Sequence, residues 1–330
     1  MPRHDERRAL RSRPSTAGRR LVPLTPPGPA PRGGRPLPTT PPIASLDWDA
    51  VDKTYLSYLN EHPDMPERWL LVQTLATGPS RRALLGALGV AEGAHVLDVG
   101  TGFGPTPVEL AGMVPVSVFG VDRDPANLEV AQAITTGVEA RGWFRPGSHV
   151  SYGLGDAYDL PVDDGRFDLA TARLLYQHLD DPARAADELF RVVAPGGGVC
   201  VVDADDGLSI SYPEPSDAFR RLQRAFADLQ AARGGDRFVG RKVSTLLEQA
   251  GFTVVSVVVL PQAVHGPSTP EDPARAFALQ RLRSARDAIV EAGILGADEI
   301  DDSLEVFAGE RVEGQCSIEA HLAVVARKPA

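Results

Sequence analysis

Two cysteines, Cys200 and Cys316, are too few for a disulfide framework or a cysteine metal site. A reducing compartment, the cytoplasm, is therefore the default. No apolar run approaches the roughly 20 residues needed to cross a bilayer, so no membrane span is expected. Positive charge is scarce outside one end. Residues 1–43 hold nine arginines against Asp5 and Glu6, a net of +7, whereas the rest of the chain sums to −17. An acidic body argues against nucleic acid as the main substrate, because phosphate binding needs clustered Lys and Arg, and the tail is the one candidate for such binding. What the chain has is 43% hydrophobic content, ample for a packed core.

Residues 1–43 are rich in Arg and Pro and show no apolar periodicity, so they predict a disordered tail that buries too little to offset chain entropy. Asp5 and Glu6 argue against a targeting peptide, since these are poor in acids. Residues 44–90 predict a helical cap. Val51, Tyr55 and Leu59 mark its first helix, and Trp69, Leu70, Val72, Gln73 and Leu75 mark a second. A third runs from Ser80 to Leu88. Residues 91–330 alternate strand and helix patterns and predict one α/β domain.

That domain is organised around residues 95–122. Val96 to Val99 is a short β-branched run suited to a buried parallel strand. It meets Gly100, Gly102 and Gly104, where the chain turns tightly with no side chains in the way. Pro105 and Pro107 suit a first helical turn, and a second apolar run from Pro115 to Val121 ends at Asp122. Strand, glycine turn, helix, strand and acid predict the nucleoside-binding half of a doubly wound fold. A carboxylate at Asp122 can accept both hydroxyls of a ribose. NAD(P)-dependent oxidoreductases share nearly this layout and are one alternative. Asp98 argues against them. A pyrophosphate at this turn gains nothing from a carboxylate there, whereas a sulfonium and an ammonium are attracted to it.

Val96-Leu-Asp-Val-Gly-Thr-Gly-Phe-Gly104 resembles the first motif of class I S-adenosylmethionine-dependent methyltransferases, and Gly120-Val-Asp122 resembles their second. The resemblance continues through Gly155-Asp156-Ala157, Phe167-Asp168, Leu175-Tyr-Gln-His178 and Arg191-Val-Val-Ala-Pro-Gly-Gly-Gly198. It covers about residues 50–260 and points to the small-molecule branch, similar to enzymes of quinone biosynthesis and secondary metabolism. It implies a seven-stranded, mostly parallel sheet with helices on both faces and an antiparallel last strand. S-adenosyl-L-methionine is the implied cofactor, and the implied reaction moves its methyl group to an O, N or C nucleophile of a small metabolite. Carried over by position, Asp98, Gly100 and Gly102 bind the methionine portion, Asp122 the ribose, and Asp156 with Ala157 the adenine. Thr101, Arg123, Arg173 and Gln73 are further expected cofactor contacts, and Tyr55, Tyr58 and Tyr176 are expected on the acceptor side. Enzymes acting on base or glutamine nitrogens have Asn-Pro-Pro-Tyr or a close variant after the fourth strand. Ala172-Arg173-Leu174-Leu175 stands here instead, which disfavours those acceptors.

His178 is the expected base, because an imidazole with an unperturbed pKa of about 6.5 takes a proton near neutral pH. Asp203, Asp205 and Asp206 follow the fifth strand. They could hold a hard cation, supply a base or line a solvated loop; Asp205 is taken as the second catalytic candidate, and no metal is expected. Residues 273–293 and 297–308 predict two helices before the last strand, Ser317 to Ala326, forming a lid or dimer surface over about 268–312. Arg275, Arg281, Arg283 and Arg286 there either form a solvated face or meet an acidic substrate. A homodimer is one expected assembly. The other alternative is a catalytically silent scaffold that keeps the cofactor pocket.

Overall fold

The structure is a computed structural model that describes residues 46–330 apart from residues 66 and 271, so the expected tail over residues 1–43 lies outside the described residues. Three helices come first: α1 (Asp49–Glu61), α2 (Arg68–Ala76) and α3 (Gly78–Ala87). β1 (His95–Val99) is buried at every residue but His95, as a central parallel strand covered on both faces must be. The glycine turn leads into α4 (Pro105–Met113), buried throughout. Then come β2 (Ser117–Asp122), α5 (Pro125–Ala140), β3 (His149–Leu154), β4 (Phe167–Arg173) and α6 (Pro182–Val192). Asp124 caps α5 by accepting the Ala126 N–H, with Pro125 in the first turn, as the Asp-Pro pair predicts.

The second half holds β5 (Val193–Ala204), β6 (Ile210–Tyr212), α7 (Asp217–Ala232), α8 (Val243–Gln249), β7 (Thr253–Ser268), α9 (Pro273–Glu291), α10 (Ala297–Gly309) and β8 (Val312–Arg327). The sheet order is β3-β2-β1-β4-β5-β8, with β7 on the far side of β8 and short β6 beside β8 beyond the end of β5. β1 to β5 pair in parallel, and β8 runs antiparallel to β5. Eight strands replace the expected seven, because Ile210–Tyr212 forms a three-residue pairing of its own. β7 and β8 outrun their expected limits, since beyond Leu260 the two continue as an antiparallel pair to Ser268 and Val312.

Strand order reverses beside β1, so the crevice opens where β1 and β4 end. One ion-pair network ties the helices before β1 to the sheet domain. Arg81 and Arg82 of α3 both bond Glu109 of α4, and Arg82 also pairs with Asp52 of α1. On the other side α7, α9 and α10 share a small apolar core that includes Leu222, Leu282, Ile289, Ile300 and Phe307. Trp69 of α2 meets Phe277 of α9 with ring centroids 6.2 Å apart.

Candidate functional site

Asp98 is 3% exposed, and its two oxygens accept the hydroxyls of Thr101 at 2.7 Å and Thr171 at 2.6 Å. Burial pushes its pKa up to about 6, against the hydrogen bonds from Thr171 and Thr101 and the pull of Arg173. Gly100 and Gly104 have φ of +68° and +74°. A Cβ on Gly100 would lie 2.9 Å from Leu175, and one on Gly104 would lie 2.2 Å from the Tyr152 hydroxyl. Beside Gly102 there is open space for an approaching ligand.

Asp122 holds this turn from the second strand. One oxygen accepts the Gly102 N–H at 2.8 Å, and the other accepts the Asp124 N–H at 3.0 Å and the Asn127 amide at 3.3 Å. Carboxylate oxygens have two lone pairs each, so capacity for a further donor remains. Arg123 next to it is exposed. Asp156, also exposed, accepts the Tyr158 N–H at 2.9 Å, with Ala157 half-buried beside it.

Past the end of β4, Leu174 has φ of +55°, the one non-glycine residue with positive φ among the described residues. Strain of this kind collects where a chain is held for a purpose. Arg173 before it has no hydrogen-bond or ion-pair partner among the described residues. Burial lowers its pKa to about 9, with Arg81 pushing the same way against Glu109, Asp98 and Asp203. The opposite charges of Asp98 and Arg173 lie close enough to act on each other, beside the open face of Gly102.

His178 ends a short 3-10 turn, and its Nδ1 lies 3.0 Å from the Gln230 amide nitrogen of α7. The residue keeps exposed surface, yet the surrounding protein desolvates it. Its pKa falls to about 4, with Arg237 and Arg123 contributing. It is therefore neutral near pH 7. As arranged here the Gln230 amide N–H donates to Nδ1, which leaves the ring proton on Nε2, and the buried Gln230 carbonyl oxygen has no partner among the described residues.

The three acids after β5 go separate ways. Asp203 is fully buried and accepts the N–H groups of Tyr176 at 2.7 Å and Ala204 at 2.8 Å, and burial pushes its pKa up to about 7. Asp205 is clasped by Arg241 at 2.6 Å and 2.5 Å, which holds its carboxyl below the usual range. Asp206 is paired with Arg237 at 2.6 Å. Among the described residues no group of three metal-ligating side chains forms.

The expected acceptor-side tyrosines divide. Tyr55 and Tyr176 are each 1% exposed. The Tyr55 hydroxyl donates to the Phe103 carbonyl at 3.0 Å, bracing the glycine turn. Tyr176 packs in the apolar core beside β4 and β5, and its buried hydroxyl lacks a partner among the described residues. As arranged here neither ring is open to an acceptor, because each serves packing. Tyr58 is half-buried and stacks on His62 at 4.0 Å, and Gln73 is half-buried on α2. Glu109 and Gln230 carry no motif, and sequence reasoning passed over both as site residues.

Residues 97–201 match the family model described as a methyltransferase domain. An uncharacterized 37.1 kDa protein in transposon TN4556 of Streptomyces fradiae is 33% identical over 201 residues, covering 59% of this chain and 54% of that protein. The O-methyltransferase resE of Aspergillus sclerotiorum is 30% identical over 181 residues, covering 55% of this chain and 63% of its own. The chain thus spans about half to two thirds of the length of these curated relatives. In fold it resembles a chain of the complex between the Haloferax volcanii Trm112 methyltransferase activator and its methyltransferase partner. The TM-score is 0.50 and the identity 18%, over 85% of this chain and 98% of that one.

Proposed function

We propose that this chain, whose residues 97–201 match a methyltransferase domain, is a class I S-adenosylmethionine-dependent enzyme that methylates an oxygen, nitrogen or carbon nucleophile of a small metabolite. An oxygen acceptor is favoured by the likeness to the O-methyltransferase resE. The observation that supports this most is the pair of acids, Asp98 and Asp122, bracketing an open glycine turn beside the unpaired Arg173. In this reading Asp98 draws the ammonium and sulfonium, Arg173 takes the carboxylate, Asp122 the ribose hydroxyls, and Asp156 with the Ala157 N–H the adenine. Thr101 positions Asp98, while Arg123 and Gln73 border the ligand.

S-adenosyl-L-methionine supplies a methyl group already activated on sulfur. The chain's share is alignment of the acceptor, exclusion of water and removal of a proton where the acceptor needs it. Neutral His178 is the proposed proton acceptor; turning the Gln230 amide so that its unpartnered oxygen accepts from Nδ1–H frees the Nε2 lone pair for this role. Its lowered pKa suits acidic acceptor hydroxyls such as phenols. Asp205, clasped by Arg241, serves as a loop anchor in this reading rather than as a base. The helices α9 and α10 form a lid over the acceptor. The two free cysteines support a cytoplasmic location. Exposed Val255, Val257, Val259 and Val264 along the uncharged edge strand β7 support a homodimer.

Neither a nicotinamide-dependent oxidoreductase nor a silent scaffold draws support from the matches. The test is incubation with methyl-labelled S-adenosylmethionine and pooled phenols, amines and enols. Labelled product with S-adenosylhomocysteine is expected. Tight S-adenosylhomocysteine binding with no labelled product from any pool would contradict catalysis.

A further inference from the structure

The arginines of the inserted helices meet different fates. Arg275 is buried and bonds Ser268 and the Phe307 carbonyl. Arg286 pairs with Asp301. Arg281 has neither kind of partner among the described residues. Its guanidinium carbon sits 4.7 Å from the ring centre of Phe226 and 5.8 Å from that of Phe277, and its Nε is buried with no hydrogen-bond partner. Burial lowers its pKa, and Arg237 adds to the effect against Glu319 and Asp206. Arg237 already engages Asp206 through its Nε and Nη2 and donates to Gln177, so Asp206 is neutralised before it can serve Arg281. Glu319 is exposed and forms no ion pair with Arg281 among the described residues.

An arginine placed like this is costly. A guanidinium removed from water without a counter-charge loses several kcal/mol unless hydrogen bonds and an anion replace the solvent. The rings of Phe226 and Phe277 offset part of that through their π faces. Ring contacts use the face of a guanidinium and leave its N–H edge for a planar anion, which a carboxylate matches with two parallel bonds.

The position of Arg281 links it to the proposed acceptor site. Phe226 and Gln230 are four residues apart on α7 and so share one face. Phe226 meets Arg281 there, and Gln230 meets His178. Arg237 joins the same group from the other side, bonding Gln177 next to His178. Phe277 carries the wall across to Trp69 of α2. An acceptor between these elements would have aromatic walls, a cation at one end and the imidazole at the other.

We propose that the acceptor is an aromatic or similarly flat apolar acid whose carboxylate docks on Arg281 between Phe226 and Phe277. The acid group then anchors the acceptor, and the body beyond it presents the nucleophile toward His178. This rests on the methyltransferase reading and names its substrate class. Arg281 is a substrate-binding residue with no part in holding the cofactor.

The test is calorimetric binding to the protein saturated with S-adenosylhomocysteine, using 4-hydroxybenzoate and its methyl ester as probes. Wild type should bind the acid at least tenfold more tightly than the ester. Arg281→Met should bring the acid down to the level of the ester, and Arg281→Lys should recover part of the preference. S-adenosylhomocysteine affinity should stay the same in both variants. Without ligand, Arg281→Met should melt at or above the wild-type temperature, since it removes a partly desolvated charge that has no counter-ion among the described residues. Equal affinity for acid and ester, no binding of the acid, or an acid preference that survives Arg281→Met would overturn the proposal. Failure of wild type to bind S-adenosylhomocysteine would overturn the methyltransferase reading itself, and this inference with it.

Discussion

Arg81 grips Glu109 through two parallel bonds, Nε to Oε2 at 2.7 Å and Nη2 to Oε1 at 2.8 Å. Arg82 adds a third from its own Nε at 2.8 Å, and Glu109 has no exposed surface. Removing one partner of a buried pair leaves an uncompensated charge and costs about 3–5 kcal/mol. Glu109→Gln is therefore expected to lower the melting temperature by roughly 10 °C, taking a few degrees per kcal/mol for a chain of this size. Denaturant unfolding of the variant checks this. A loss under about 1 kcal/mol would place the network among weakly contributing surface pairs.

Asp98 gives a pH dependence to ligand binding. Burial raises its pKa to about 6, and a cationic ligand prefers its ionised form. Affinity for S-adenosylmethionine should be level above pH 7 and fall as pH drops through 6, approaching tenfold per unit. Asp98→Asn should bind weakly at every pH and lose the slope. An unchanged slope in that variant would assign the titration to another group.

His178 and His321 act on stability instead. Both pKa values are lowered to about 4, mainly by desolvation, with Arg237 contributing to each. Between pH 6.5 and 4 the unfolded chain takes up protons on these rings that the native state refuses. Their contribution is thus complete above pH 6.5 and is lost as pH falls to 4. Asp203, raised to about 7 by burial, works in the opposite sense: its contribution is present at acid pH and lost as pH rises through 7. Replacing both histidines by Gln should leave the trend of the two raised acids, Asp98 and Asp203, exposed, with stability declining from pH 5 to about 7 and levelling above it. Urea midpoints across that range measure it, and a midpoint rising with pH in the double variant would contradict the assignment.

Gly100→Ala tests the turn. The added Cβ would lie 2.9 Å from Leu175 on a backbone with φ of +68°, and positive φ alone costs a non-glycine residue about 1–2 kcal/mol. Affinity for S-adenosylhomocysteine should drop at least tenfold. Adding Leu175→Ala relieves the contact but not the φ, so it should restore only part. Full restoration would show that crowding alone was at work.

Local patterns made the frame legible. The run from Val96 to Asp122 reads as strand, turn, helix and strand because each step depends on neighbours in sequence, and β1, α4 and β2 lie where that pattern puts them. Contacts between distant positions were not legible. Glu109 looks like a helix-surface acid until Arg81, 28 residues earlier, folds against it. Tyr55 and Tyr176 have the composition of pocket residues, yet tertiary packing buries both. Asp205 reads as a free loop carboxylate, and only the fold brings Arg241 to it. The four arginines of the insert cannot be told apart by spacing, since what separates Arg281 from Arg286 is the aromatic or acid that the neighbouring helix supplies.

The central claim is that the crevice at the ends of β1 and β2 holds an adenosyl sulfur ligand. The direct measurement is the melting temperature of wild type and Asp122→Ala with S-adenosylhomocysteine, with NADH and with no ligand. At 100 times its dissociation constant a ligand adds about 2.7 kcal/mol. Wild type should gain that stability with S-adenosylhomocysteine and none with NADH, and Asp122→Ala should lose most of the gain. Stabilisation by NADH alone, or a gain with S-adenosylhomocysteine that is undiminished in Asp122→Ala, would contradict the account.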